Sequence, residues 1–274
     1  MTIAILSPSP TTTIDVYPMR LQRLIRQLQE ASLLTPAQIK AIVLDANIST
    51  EDLLPWADFD HPAADSYGRR LVFHGGHFEI MVMSWVPGDF SAIHDHGATE
   101  WGAVQCFGAA EHLIYRLETN SGEAEDIRLA VGYSEGRRLS QPEVAPYSPG
   151  MVREVNHSLI HQMGNASDQA FLSLHVYGRL ENAQNITGNA KVFDLFEQTI
   201  QHTDGGVFFC LPEDQINCRL CGLSAHLETT MMQHRLMRDR IIRIIEAPET
   251  TRRQRQFLAR KLAVLSTEIN AISA

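Results

Sequence analysis

Cysteine is scarce in this chain. Only Cys106, Cys210, Cys218 and Cys221 occur among 274 residues. They are too few and too unevenly spread for a disulfide framework, so a soluble protein of a reducing, cytoplasmic compartment is expected. No apolar run reaches the ~18–20 residues of a membrane span. Met1 to Thr13 is apolar, then Pro/Ser/Thr-rich, without the basic start and long apolar core of a secretory signal, and reads as a frayed, disordered start. Positive charge is short as well: 23 Lys and Arg against 32 Asp and Glu leave a net charge of −9. That balance argues against a nucleic-acid partner, whose phosphates require concentrated Lys and Arg. Internal repeats are absent, as are low-complexity tracts beyond the N-terminus.

What is present is an ordinary globular balance, 44% hydrophobic and 20% charged, in a chain long enough for one large domain with an appendage or two modest ones. Pro18 to Glu30 carries apolar residues at helical spacing; Thr35-Pro36 caps and opens a second helix to about Ala46, and Ser49 to Asp52 begins a short third. After Asp65 the pattern turns to short strands with frequent glycine. Arg69 to His74 and His77 to Trp85 flank a Gly75-Gly76 turn. Further strands fit Ser91 to His96, Gly102 to Ala110, Glu111 to Leu117, Ala124 to Gly132, Gly136 to Leu139, Met151 to His157, Ile160 to Gly164, Ala170 to Tyr177, Ala190 to Leu195 and Gly206 to Cys210. Such a series implies a mainly β protein, a small antiparallel barrel or jelly roll with a site in its mouth. Ala225 to Glu246 and Thr251 to Ile272 return to helical periodicity. The expected division is 1–60 (disordered start and helices packing on the barrel), 61–210 (barrel with metal site) and 211–274 (C-terminal helical extension).

Histidine is plentiful, at 12 residues. In Gly88-Asp89-Phe90-Ser91-Ala92-Ile93-His94-Asp95-His96, positions i and i+2 of an extended strand share a face, so His94 and His96 can aim both imidazoles at one metal. Downstream, behind Pro149-Gly150, His161-x3-Asn165 supplies a third histidine; His157, without the matching asparagine, is the weaker rival. Ser173, His175 and Tyr177 alternate and also share one face.

The paired motifs, Gly-x5-His-x-His and then Pro-Gly…His-x3-Asn, resemble those of the cupin superfamily. Tyr67-Gly68-Arg69-Arg70-Leu71-Val72, the Ile93 to Gly97 box and Ser173 to Gly178 occur in order and are similar to the thiol dioxygenases, the cysteine dioxygenase and 3-mercaptopropionate dioxygenase group. The resemblance covers roughly residues 60 to 210. It implies a cupin barrel (a double-stranded β-helix) with Fe(II) held by His94, His96 and His161, and a Ser173–His175–Tyr177 relay. It also implies that Arg69 binds a substrate carboxylate, with Tyr67 and Trp101 beside it. The reaction it implies takes a small thiol, cysteine or 3-mercaptopropionate, and O2 to the sulfinate.

Two features depart from that pattern. No cysteine follows the His-x-His box until Cys106, so a Cys–Tyr crosslink is not expected, and Gly97 to Trp101 carries extra residues. Glu100 stands four residues after His96, where ordinary cupins place a carboxylate ligand, although counting back from Gly108 leaves it in a loop. With Glu100 bound, the chain would be a cupin acting on another substrate. A third reading is a non-enzymatic cupin that senses a metal or small molecule and signals through its helical tail. Cys210, Cys218, Cys221 and His226 could hold a structural zinc, or the cysteines simply pack the tail. The apolar stripes of the two terminal helices could mediate dimerisation.

Overall fold

The computed structural model describes residues 14–31, 34–119 and 133–273. The expected disordered start and the expected strand Ala124 to Gly132 both lie outside them.

Helix α1 (Met19–Glu30) buries Leu21, Leu24, Ile25 and Leu28, an i, i+3, i+4, i+7 stripe. Helix α2 (Pro36–Ala46) starts at a reciprocal capping box, Thr35 N donating to Gln38 Oε1 at 2.9 Å and Gln38 N to Thr35 Oγ1 at 3.3 Å. Helix α3 (Thr50–Leu53) is a single turn closed by the same device between Ser49 and Asp52. All three cover one face of a sheet.

That sheet runs β1-β2-β10-β3-β8, from β1 (Gly68–His74), β2 (Phe78–Trp85), β3 (Trp101–Cys106), β8 (Val152–Val155) and β10 (Phe171–Gly178). Every residue of β2 and β10 is buried. Ile80, Val82, Leu172, Leu174 and Val176 pack under the helices. Met81, Met83, Ser173, His175 and Tyr177, one step out of phase, turn into the barrel, and all but Ser173 line its cavity. A second sheet, β11-β12-β13-β6-β5, comprises β5 (Leu117–Thr119), β6 (Tyr133–Leu139), β11 (Ala190–Asp194), β12 (Thr199–Thr203) and β13 (Cys218–Ala225). A third joins β4 (Glu111–Tyr115), β7 (Glu143–Val144) and β9 (Ile160–Gly164).

Several expectations need correction. Ser91 to His96 is not a continuous strand: isolated bridges join Phe90 to Gly164 and His94 to both His161 and Val192. Asp95 breaks the ladder by taking Gly97 N and Lys191 N on its carboxylate at 3.0 and 2.8 Å. Gly206 to Cys210 is likewise irregular. The stretch 211–274 is not wholly helical, because β13 pairs with β12 and runs parallel to β6 inside the second sheet.

Helices α4 (Leu227–Glu246) and α5 (Arg252–Ser273) follow. Met231, Met237, Ile241 and Ile244 of α4 share one core with barrel residues such as Met163 and Val192. Two buried polar links fix the register. Arg240 Nη1 donates to Asp89 Oδ1 at 3.1 Å, and Gln233 exchanges amide hydrogen bonds with Gln162 at 2.7 and 3.1 Å. Asp89 is fully buried and also meets His61 Nε2 at 3.0 Å, so the loop before β1, the turn after β2 and α4 converge on one carboxylate. Among the described residues no helix is long and apolar enough to cross a membrane.

Candidate metal centre

His94 and His161 face each other across an antiparallel bridge in which each backbone N–H donates to the other's carbonyl at 2.9 Å. With His96 they bring one ring nitrogen each within 4.8 Å of one another, all three residues buried. Among the described residues this is the only such cluster of His, Cys, Asp or Glu.

The tautomers follow from the hydrogen bonds. His94 Nδ1 donates to Ala92 O at 2.9 Å, which leaves the Nε2 lone pair facing inward. His161 Nδ1 lies 2.8 Å from His112 Nε2, and His112 Nδ1 lies 3.2 Å from Ala145 O. A carbonyl only accepts, so His112 carries its proton on Nδ1, accepts at Nε2 and leaves His161 protonated on Nδ1. The Nε2 lone pairs of His94 and His161 therefore meet 3.1 Å apart. That is repulsive unless a cation lies between them, as it would if both nitrogens were donors to one ion. His96 is 4% exposed and neither ring nitrogen makes a well-formed hydrogen bond, the Leu159 backbone being the partner nearest to one; metal ligation would satisfy the other. Burial pushes His94 down to about 4 and holds His96 and His161 well below the usual histidine range, so all three are neutral donors. The residues fit a divalent first-row ion.

Beside the triad runs the alternating strand β10. Trp85 Nε1 donates to Ser173 Oγ at 2.9 Å. Ser173 Oγ lies 2.8 Å from His175 Nε2, and His175 Nδ1 lies 2.7 Å from the Tyr177 oxygen; the tautomer in which Ser173 donates to Nε2 and Nδ1 donates to the phenol leaves the phenolic proton for the cavity. The Tyr177 and His96 rings are 5.2 Å apart. Burial raises Tyr177 well above the usual phenol range and lowers His175 to about 3, so at neutral pH the tyrosine is protonated and the histidine uncharged.

The cavity in front of the triad is small, about 40 Å3, room for about three ordered waters. Met81, Met83 and Val207 give it an apolar wall, and Tyr67 and Arg69 line it from the β1 side. Arg69 forms no salt bridge among the described residues, whereas its neighbour Arg70 points outward to Asp58 at 3.1 Å. Glu79 is buried on the facing strand, accepts from Thr187 Oγ1 at 3.3 Å, and is raised by burial against the opposing charge of Arg69.

Other expected residues fall elsewhere. Trp101 is not in the cavity. It pairs with Gly178, one residue after the inward-facing Tyr177, so it points out among the N-terminal helices. A Cβ on Gly178 would stand 2.0 Å from its indole, which explains the glycine. Glu100 is exposed and accepts a hydrogen bond from Leu180 N, away from the triad. His157 is exposed. Cys210, Cys218, Cys221 and His226 do not come together: Cys218 and Cys221 lie exposed on β13, Cys210 packs against α4, and His226 contacts Arg138. Missed from the sequence were His112, Trp85 as the anchor of the relay, and the Gln162–Gln233 pair behind His161.

A double-stranded β-helix with a buried, all-nitrogen histidine triad in its mouth is a cupin whose three histidines could hold a metal ion. Residues 7–180 match the family described as cysteine dioxygenase type I. The match spans more than half of the chain, and the protein belongs to that family. Among solved structures, the chain is similar to an uncharacterized conserved protein with a double-stranded β-helix domain from Klebsiella pneumoniae. That similarity is at 13% identity and TM-score 0.32, over 50% of this chain and 91% of that one. It is also similar to a cupin domain from Bordetella pertussis, at 12% identity and TM-score 0.29, over 42% and 95% of the respective chains.

Proposed function

We propose that the protein is an Fe(II)-dependent dioxygenase of small carboxylate-bearing thiols, cysteine or 3-mercaptopropionate. In the overall change a thiol and O2 give a sulfinate and a proton. Both oxygen atoms bond to sulfur, which gives up the four electrons that O2 takes. The observation that carries this reading is the donor set: three neutral imidazoles and no carboxylate. Such a set leaves a bound dication its full charge, which favours an anionic thiolate. His94, His96 and His161 would hold Fe(II), whose chemistry there is O2 activation beside the bound sulfur.

The rest falls to the chain's own side chains. Arg69, which forms no salt bridge among the described residues and lies beside the cavity, suits a substrate carboxylate through two parallel hydrogen bonds. Tyr177 offers a proton-bearing hydroxyl to whatever sits next to His96. Ser173 and His175 hold that hydroxyl in place, and His175, neutral at physiological pH, is a hydrogen-bond bridge and not an acid. Met81, Met83 and Val207 exclude water from the sulfur end. The narrow cavity favours a substrate of a few heavy atoms. A reducing, cytoplasmic setting would keep such a thiol available.

The test is oxygen uptake by Fe(II)-loaded protein with a panel of thiols. Equimolar uptake with cysteine or 3-mercaptopropionate, and sulfinate as product, is expected; absence of uptake with every small carboxylate thiol refutes the reading. A second reading has one observation in its favour. Gln233 of α4 bonds to Gln162, next to ligand His161, so a cupin that senses a thiol and signals through its tail would have a physical path. Tight thiol binding without uptake would favour it.

A further inference from the structure

His112 has no place in the sequence motifs, yet it touches the triad. It is 2% exposed on β4, whose register with β9 sets Ile114 opposite His161 and His112 opposite Met163, placing the imidazole diagonally behind the ligand ring. The two rings are edge-on at 4.9 Å between centroids. The His112 ring is itself held from both ends. Its Nδ1 donates to Ala145 O at 3.2 Å, while Ala145 N donates back to the His112 carbonyl at 2.8 Å. Tyr147 packs on it with centroids 5.1 Å apart, and the Arg153 guanidinium covers Tyr147 at 5.3 Å.

We propose that His112 is a positioning residue for the metal centre, an uncharged acceptor that fixes ligand His161 with its Nε2 lone pair forward. The proposal rests on the reading of the triad as metal ligands and is independent of the thiol. A metal-bound histidine commonly gives its second N–H to a carboxylate or a carbonyl. A carboxylate there would make the ligand more basic and add negative charge beside the metal. An imidazole accepting through Nε2 orients the ring without that charge. Behind His161 the supporting contact is thus as uncharged as the ligand itself, and the affinity of the site for an anionic ligand is not lowered from that side.

The experiment measures Co(II) affinity by chelator competition, and azide affinity of the Co(II) protein by its visible spectrum, in wild type, His112→Leu, His112→Gln and His112→Glu. Loss of the acceptor in His112→Leu is expected to weaken Co(II) binding about 10- to 100-fold. His112→Gln, whose Oε1 can accept from His161, should restore most of it, and His112→Glu should keep the metal but bind azide more weakly than His112→Gln. Wild-type affinity in His112→Leu, or equal losses in His112→Leu and His112→Gln, overturns the proposal. If His112→Leu does not fold, the other pair decides: equal azide affinity in His112→Gln and His112→Glu overturns it. Wild-type protein that binds no Co(II) overturns the metal centre and this proposal together. The expected variant pattern in a protein that oxidises no thiol supports His112 and refutes only the thiol reading.

Discussion

Arg69 gives the sharpest test of substrate recognition. Replacing it with alanine removes the guanidinium that lines the cavity beside Tyr67. Arg69 forms no salt bridge among the described residues, but its charge acts on buried Glu79, so the melting temperature is measured beside the kinetics and the substrate effect is read from the folded variant. A hydrogen bond to a charged group contributes about 1.5–3 kcal/mol, and Arg69 is only half-buried, so the lower part of that range applies. At about 1.4 kcal/mol per decade, the expected rise in KM for 3-mercaptopropionate is roughly 10- to 30-fold, with a smaller change in kcat. The assay is initial oxygen uptake with 3-mercaptopropionate and, in parallel, with 1-propanethiol, which has the same carbon count but no carboxylate. The two substrates should converge in the variant. Arg70→Ala is the matched control: that side chain is exposed, ion-paired to Asp58 on the outer side, and contributes about 0–1 kcal/mol. An unchanged KM in Arg69→Ala, or an equal loss for both thiols, would remove Arg69 from the substrate site.

Three further outcomes are expected. Trp101→Ala should cost about 3–5 kcal/mol of stability by denaturant titration, while Co(II) affinity stays at the wild-type value, because the indole lies outside the barrel; a lost metal site would put Trp101 back in the cavity. Glu100→Gln should leave metal content unchanged, and a stripped metal would mean that the carboxylate swings in to bind. At His61, burial lowers the pKa but the hydrogen bond and charge of Asp89 outweigh it, so the folded value is raised. The stabilisation it adds is therefore complete below the unfolded value of about 6.5 and is lost as pH rises through the higher folded value. Melting temperature should fall across that window in wild type and not in His61→Gln; parallel profiles would contradict the assignment.

The residues that carry the site were largely legible because their signals are local. His94 and His96 stand two positions apart, and Ser173, His175 and Tyr177 declare a shared face by alternation alone. Helices α1 and α2 were marked by their stripe and by Thr35-Pro36. What escaped depends on register between strands. Whether Trp101 points in or out is fixed by its pairing with Gly178, not by its distance from the His-x-His box. The reach of His112 to His161 exists only through the β4–β9 ladder. Strand β13 was hidden because its burial does not alternate, and Gly222, with φ at +87°, marks the irregularity where its pairing with β6 shifts. Short, polar β12 offered no apolar rhythm, yet it pairs with β13, which carries the barrel past residue 210, where the helical tail was expected to begin. The buried partners of α4, Gln233 and Arg240, lie within an otherwise amphipathic helix and gain meaning only from Gln162 and Asp89 opposite.

The central claim is that three neutral histidines bind iron for dioxygenation of a thiol. Its most direct test is product analysis by mass spectrometry after turnover of Fe(II)-loaded protein with 3-mercaptopropionate or cysteine under isotopically labelled O2. A sulfinate carrying both oxygen atoms from O2, formed by wild type and lost in His161→Ala, is the expected result. Disulfide with hydrogen peroxide as the products, sulfinate oxygen drawn from water, or undiminished turnover in His161→Ala would contradict it.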